Sequence, residues 1–376
     1  MKAAVLESPA VLSYRDVPDP EPFGDRPVLV RVGAVGMCGS DLLRFGKGTA
    51  YHYPLILGHE FSAVLERAPA GSRFAPGDRV AVFPLLADPD DPLTAIGEPA
   101  LGTGYDYFGS RRDGGMAELR YVPERNLIPV PASMPLLHAA MVEPAAVALH
   151  AVRKLRVPPA GTALVIGAGP IGALAAQWLR ILGWTRVLVA DVDPVKLALM
   201  ADLGFETIDA AGDTVAATRI LTGTGVDAAV EASGLPATLL QALEATAPRG
   251  QVLILGDLKG DVTIPRVLVS SLIRRELTVL GTWNSKIGPA GRSEWDMVVA
   301  HIADGRLQVA PLISHAVPLA AAPAVFSGLT ERRVRSNKVL FAVSAEALAE
   351  TADRAIVPAT AQTRWLAPNL QEVGTP

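Results

Sequence analysis

Cysteine is nearly missing: Cys38 is the only one in 376 residues. No internal disulfide can form, so a reducing compartment, the cytoplasm, is the default expectation. Segregated charge is missing too. The net charge of −4 is small and spread along the chain, which gives no electrostatic basis for binding nucleic acid or an anionic membrane. Lysine is scarce, with seven residues among 34 basic ones, a bias that carries no mechanism. Residues 162–179 lack charge altogether, but Gly167, Gly169, Pro170 and Gly172 interrupt them. A strand, a tight turn and a helix fit that stretch better than one membrane span. Glu7 and Pro9 break the N-terminal stretch where a signal peptide needs an apolar core.

What is present divides near residue 160. Before it lie short extended runs bounded by Gly and Pro: "KAAVLE", "PVLVRVGAVG", "FSAVLERA", "DRVAVFP" and "AELRYVP", all strand candidates. After it, apolar runs such as "ALVIGAG", "RVLVADVD" and "QVLILGD" alternate with helix-like segments until about residue 283. That alternation is the pattern of βαβ units and a parallel sheet. "EWDMVVAHIADG" then reads as a helix and "NKVLFAV" as a closing strand. From Ser344 the chain is Ala-rich with scattered Pro and Thr, as in a loosely ordered tail.

"VIGAGPIG" sets Gly167, Gly169 and Gly172 as G-x-G-x-x-G between a strand and a helix. The first glycine permits the turn, the second lets backbone approach a pyrophosphate, and the third lets helix and strand pack. N–H groups at the helix start, around Pro170 and Ile171, face the phosphates. Asp191 ends the next strand candidate. A carboxylate there accepts from both ribose hydroxyls and repels a 2′-phosphate, favouring NAD over NADP. Lys196, one turn into the following helix, can reach the ribose edge.

Cys38 sits in "GMCGSD", His59 and Glu60 in "GHEFSA", and Glu143 in "VEPAAVALHA". Catalytic zinc sites take three such ligands and keep a fourth position open, but spacing alone does not bring residues this far apart together. The order of these motifs, with "GDRVAVFP", "DGGMAEL" and "VIGAGPIGALAAQ", resembles that of the zinc-dependent medium-chain alcohol/polyol dehydrogenases over residues 1–343. "AYHYPLILGHEFS", "YDYFGSRRDGG" and "LIRRELTVLGTW" are most similar to the galactitol-1-phosphate 5-dehydrogenase and sorbitol dehydrogenase branch.

The resemblance implies an α/β protein with a GroES-like β-rich catalytic domain and a Rossmann doubly wound domain. The expected segments are 1–150 catalytic, 151–285 NAD-binding, 286–343 returning to the catalytic domain, and 344–376 tail. It implies that Cys38, His59 and Glu143 hold zinc, that Glu60 binds it directly, through water or in exchange, and that Ser40 passes the substrate's proton towards solvent. It further implies a homo-oligomer, a dimer or tetramer, acting on a small polyol, polyol phosphate or cyclitol. Arg44, Lys47, Arg111 and Arg112 fall in segments that resemble substrate-side loops, where arginine forks suit a phosphate; Trp283 and Asn284 are candidates to line the pocket.

Two departures stand out. Many relatives carry a structural zinc on four cysteines, whose positions correspond here to Asp88, Asp91, Thr94 and Gly102; the expectation is that this second zinc is absent. Leu43 stands where several alcohol dehydrogenases have a histidine ending the proton relay, so water must finish the path. A zinc-free quinone or enoyl reductase and a non-catalytic NAD-binding redox sensor remain as other readings.

Overall fold

The computed structural model describes residues 1–288, 293–353 and 355–358. The chain forms two compact units, one of residues 1–143 with 286 onward, the other of 144–285.

In the first unit the alternating run "PVLVRVGAVG" forms the central strand, Pro27–Gly36, of a seven-stranded sheet. Glu60–Arg67 lies antiparallel on one side, with Gly36 opposite Glu60. Lys338–Ala342, from the far end of the sequence, lies antiparallel on the other, with Gly36 opposite Leu340. This register brings the residues just after Gly36, those at the start of Glu60–Arg67 and Lys338 to one end of the sheet. Phe61, Phe326 and Phe341 lie in the core beneath, the last two stacked with ring centroids 6.2 Å apart. A three-stranded sheet of Val11–Asp16, Lys2–Ser8 and Leu55–Ile56 completes the unit with a two-stranded pair, Leu85–Leu86 and Asp106–Tyr107.

The second unit is a six-stranded parallel sheet. In space its strands run Glu206–Asp209, Arg186–Asp191, Thr162–Ile166, Val226–Glu231, Thr246–Ile254 and Thr278–Gly281. This is the doubly wound order, reversing beside the first strand, where such folds bind dinucleotides. The charge-free stretch at 162–179 is a strand, a turn and the start of the helix Pro170–Ile181. No helix among the described residues is long and apolar enough to cross a membrane.

Two details of the structure bear on how the expected segments are bounded. The units divide between Glu143 and Pro144, inside the helix Val142–Val152, rather than at residue 150; a continuous helix hides the break from any reading of turn signals. The segment after Ser344 begins as packed structure rather than loose tail. It forms the helix Ala345–Glu350, with Ala347 and Val357 fully buried. The Glu350 carboxylate accepts from the backbone N–H groups of Leu136 and Leu137 at 2.9 and 3.0 Å, satisfying donors that a helix start leaves free. Residues 359–376 lie outside the described residues.

Candidate active site

The helix Gly39–Lys47 begins directly after Cys38. Asp41, in its first turn, accepts from the Cys38 backbone N–H at 3.0 Å and fixes that start. Asp41 is fully buried, and its other carboxylate oxygen stands 3.6 Å from His59 Nδ1 and 3.3 Å from Arg44 Nη1. Arg44 also donates to Ser40 Oγ at 2.9 Å. The residues around the thiol are thus held in one network by a carboxylate that sequence reading passed over.

Ligand atoms of Cys38, His59 and Glu60 all lie within 4.8 Å of one another, the group of three such residues found among the described residues. Glu60 is paired with Lys338, whose Nζ also donates to the Met37 carbonyl at 3.1 Å; both side chains are buried. A Cβ on Gly36 would fall 2.1 Å from Glu60 Oε2, so any side chain there would displace the Glu60 carboxylate from its present position. Glu143, buried in the first turn of its helix, interacts electrostatically with His59 and Glu60, and Tyr107 donates to its Oε1 at 3.3 Å.

The electrostatics of the group favour a cation. Burial alone would depress the His59 imidazole, yet Asp41, Cys38 and Glu143 raise its pKa to about 10. Burial, reinforced by Glu60, pushes Glu143 up to about 7 against the pull of His59, Lys338 and Tyr107. Negative charge crowded in low dielectric holds protons, and the same charge would hold a divalent cation in their place. His59 Nδ1 has no hydrogen-bond partner. A thiol, an imidazole and carboxylates from different elements are a donor set that suits zinc. The residues fit the metal.

The glycine turn behaves as three different glycines. Gly167 has φ +104°, and a Cβ on Gly172 would sit 1.8 Å from the Gly167 carbonyl oxygen, whereas at Gly169 nothing lies within 4 Å. That open space sits at the start of the helix Pro170–Ile181, where Pro170 and Ile171 form the first turn and a pyrophosphate is well received. Asp191 accepts from the N–H groups of Ala168 and Asp193 at 2.6 and 2.8 Å, so it also braces the turn. Lys196 lies half-buried in the first turn of the helix Pro194–Asp202.

The remaining candidates divide. Arg44 joins the Ser40–Asp41 network, whereas Lys47 is exposed at the other end of the same helix. Arg111 is engaged within the unit, donating to the Tyr105 and Thr103 carbonyls and stacking over Tyr51 and Tyr105. Arg112 pairs with Asp106 at 2.7 Å. Trp283 is 55 % exposed in the second unit, and the Asn284 side chain accepts from the Ser285 N–H. Asp88 and Asp91 bond local backbone N–H groups, those of Asp90 and Leu93. Asp41, Tyr107 and Lys338 were missed; only "CGSD", with its acid three residues after the cysteine, carried a local signal.

Two family models match the chain: "Alcohol dehydrogenase GroES-like domain" over residues 24–132 and "Zinc-binding dehydrogenase" over 170–304. The galactitol 1-phosphate 5-dehydrogenase of Escherichia coli strain K12 is 33 % identical over 319 residues, covering 84 % of this chain and 92 % of that one. The chain belongs to the zinc-binding dehydrogenases. A crystal structure of galactitol-1-phosphate dehydrogenase from Escherichia coli superposes with a TM-score of 0.85 at 31 % identity, over 91 % of this chain and 100 % of that one. A putative zinc-binding dehydrogenase from Sinorhizobium meliloti, bound to NADP, reaches 0.81 at 30 % identity over 91 % and 98 %. Membership makes this chain an alcohol dehydrogenase with zinc and a nicotinamide dinucleotide as cofactors, which removes the zinc-free reductase and the non-catalytic sensor.

Proposed function

We propose that this zinc-binding dehydrogenase transfers hydride between a secondary alcohol of a polyol, polyol phosphate or cyclitol and NAD. The observation that carries the reading is the gathering of Cys38, His59 and Glu60 within 4.8 Å, with Glu143 beside them. In this reading Cys38, His59 and Glu143 hold the zinc and Glu60 exchanges at it. Bound zinc supplies Lewis acidity that lowers the pKa of the substrate hydroxyl, and the bound dinucleotide supplies the hydride acceptor.

The chain's own part is to place and move the proton. Ser40 Oγ accepts from Arg44, which leaves its own O–H directed by whatever acceptor approaches. It can give that proton towards solvent and take the substrate's in its place. Leu43 carries no titratable group, so the transfer ends on water. Asp41, bonded to the Cys38 N–H and close to His59, orients two of the metal's ligands; such outer carboxylates raise the basicity of a ligating imidazole.

Asp191 favours NAD, because a 2′-phosphate would meet its carboxylate. The polyol phosphate assignment draws on the name of the similar Escherichia coli enzyme, and Arg44 is the cation of this network available to a phosphate. The lobe holding Asp88 and Asp91 takes no second zinc in this reading. The enzyme works in the cytoplasm as a homo-oligomer.

Elemental analysis tests the core of this. Wild type should hold close to one zinc per chain and Cys38→Ser far less. A count near zero after purification with added zinc would sink the mechanism, and a count near two would mean that the lobe, or some other site, also binds metal. Turnover of phosphorylated and free polyols with NAD⁺ and NADP⁺ then tests substrate and cofactor. Arg44→Gln should raise KM for phosphorylated substrates more than for free ones.

A further inference from the structure

Lys338 opens the closing strand Lys338–Ala342 and is 2 % exposed. Its Nζ donates to the Glu60 carboxylate and, at 3.1 Å, to the Met37 carbonyl. Glu60 follows His59 in the chain and Met37 precedes Cys38, so one ammonium is bonded beside each of those two residues. Gly36 leaves the room for it: a Cβ there would fall 3.1 Å from Lys338 Cε as well as against Glu60 Oε2. Burial lowers the Lys338 pKa, but Glu60, Cys38 and Glu143 raise it by more, and the ammonium stays charged at neutral pH.

Cys38, His59, Glu60 and Glu143 are one donor too many for an open metal site. Four protein ligands make a closed zinc site, whereas a catalytic one has three and keeps a position free. One donor must be held back, and the two carboxylates differ in what holds them. Glu143 accepts from the Tyr107 hydroxyl at 3.3 Å, a neutral donor. Glu60 is bonded to a full positive charge, and such a bond is about twice as strong as one from a neutral donor. The ammonium also competes directly with a metal for the same oxygen lone pairs.

We propose that Lys338 is a positioning residue: its ammonium holds the Glu60 carboxylate back from the zinc and so keeps the fourth position of the metal for the substrate alcohol. This rests on the reading that Cys38, His59 and Glu143 hold the metal. The exchange of Glu60 is then a choice between two cations, the zinc and Lys338.

Zinc release from the loaded enzyme to a chromophoric chelator tests it. A lysine that only braced the site would loosen it when lost and speed release. Lys338→Met should instead slow release at least about tenfold, the scale on which partners of metal ligands alter affinity, because the freed carboxylate closes on the metal. The cobalt-substituted variant should show a shifted visible absorption, since a ligand has been added. Lys338→Met with Glu60→Gln removes the carboxylate as well and should return both readouts close to wild type. Lys338→Gln keeps a hydrogen bond to Glu60 without the charge. It should move both readouts in the same direction as Lys338→Met, and it carries the comparison if the methionine variant does not fold. The gain is confined to the loaded enzyme, because in the metal-free chain the variant leaves Glu60 stranded. Wild type without zinc would overturn the ligand reading and this proposal together. Wild type with its zinc, and release from the single variants as fast or faster, overturns this proposal alone.

Discussion

Lys338 and Glu60 form a buried ion pair across 278 residues of sequence, both side chains 3 % exposed. The pair ties the closing strand of the first unit to the mouth of the metal group. Removing one member of such a pair strands a charge in low dielectric, which costs about 3–5 kcal/mol, whereas replacing both by apolar groups is often near neutral. Lys338→Met should therefore lower stability by about that much, and Lys338→Met with Glu60→Leu should recover most of it. Urea denaturation decides. Equal losses in the single and double variants would show that the charges are not coupled.

The glycine turn separates packing from binding. Gly172→Ala drives a Cβ into the Gly167 carbonyl, so it should lower the melting temperature and weaken dinucleotide binding together. Gly169→Ala meets nothing in the folded chain; it should melt like wild type yet bind NAD⁺ at least about tenfold more weakly, because the methyl fills the space where the pyrophosphate approaches. Melting curves with and without NAD⁺ separate the two cases. Tight binding by Gly169→Ala would remove that space from the cofactor site.

Ser40→Ala removes the hydroxyl that Arg44 holds without touching a ligand atom. Losing a positioned proton carrier lowers kcat by about a hundredfold or more. Zinc content should stay at the wild-type value, and the loss should shrink as pH rises and solvent base takes over. A uniform loss at every pH would mean that Ser40 positions the substrate instead.

The packed segment after Ser344 should respond to pH through His138, whose Nε2 lies 2.9 Å from the Ile356 carbonyl oxygen. Burial holds the folded pKa of His138 below its ordinary 6.5. The unfolded chain therefore takes up a proton first as pH falls. This contribution to stability is present above pH 6.5 and is lost as pH drops through the folded pKa. Denaturation midpoints should fall on acidification, and less steeply in His138→Gln. Glu350→Ala, which frees the N–H groups of Leu136 and Leu137, should cost about 1 kcal/mol, as removal of a helix cap does.

Local chemistry was legible in the sequence. Gly167, Gly169 and Gly172 announce a phosphate turn because each answers to backbone geometry within a few residues, and the alternation of strand and helix around them is equally local. The motifs around Cys38, His59 and Glu143 bear a family resemblance that the matches to zinc-binding dehydrogenases uphold. The compact units meet inside the helix Val142–Val152, where no turn signal marks a boundary. Composition after Ser344 does not reveal that Glu350 caps a helix 214 residues away.

The sequence by itself determined which groups this chain carries: one thiol, the glycine turn, a strand-ending Asp191 and the parallel-sheet pattern. Tertiary structure alone decided their company. It set Lys338 on Glu60, Asp41 between Cys38 and His59, and Arg111 on the Thr103 and Tyr105 carbonyls. The reason is physical. Backbone preferences act over a turn or a strand, whereas desolvation and ion pairing depend on neighbours that only the closed sheet brings within a few ångströms.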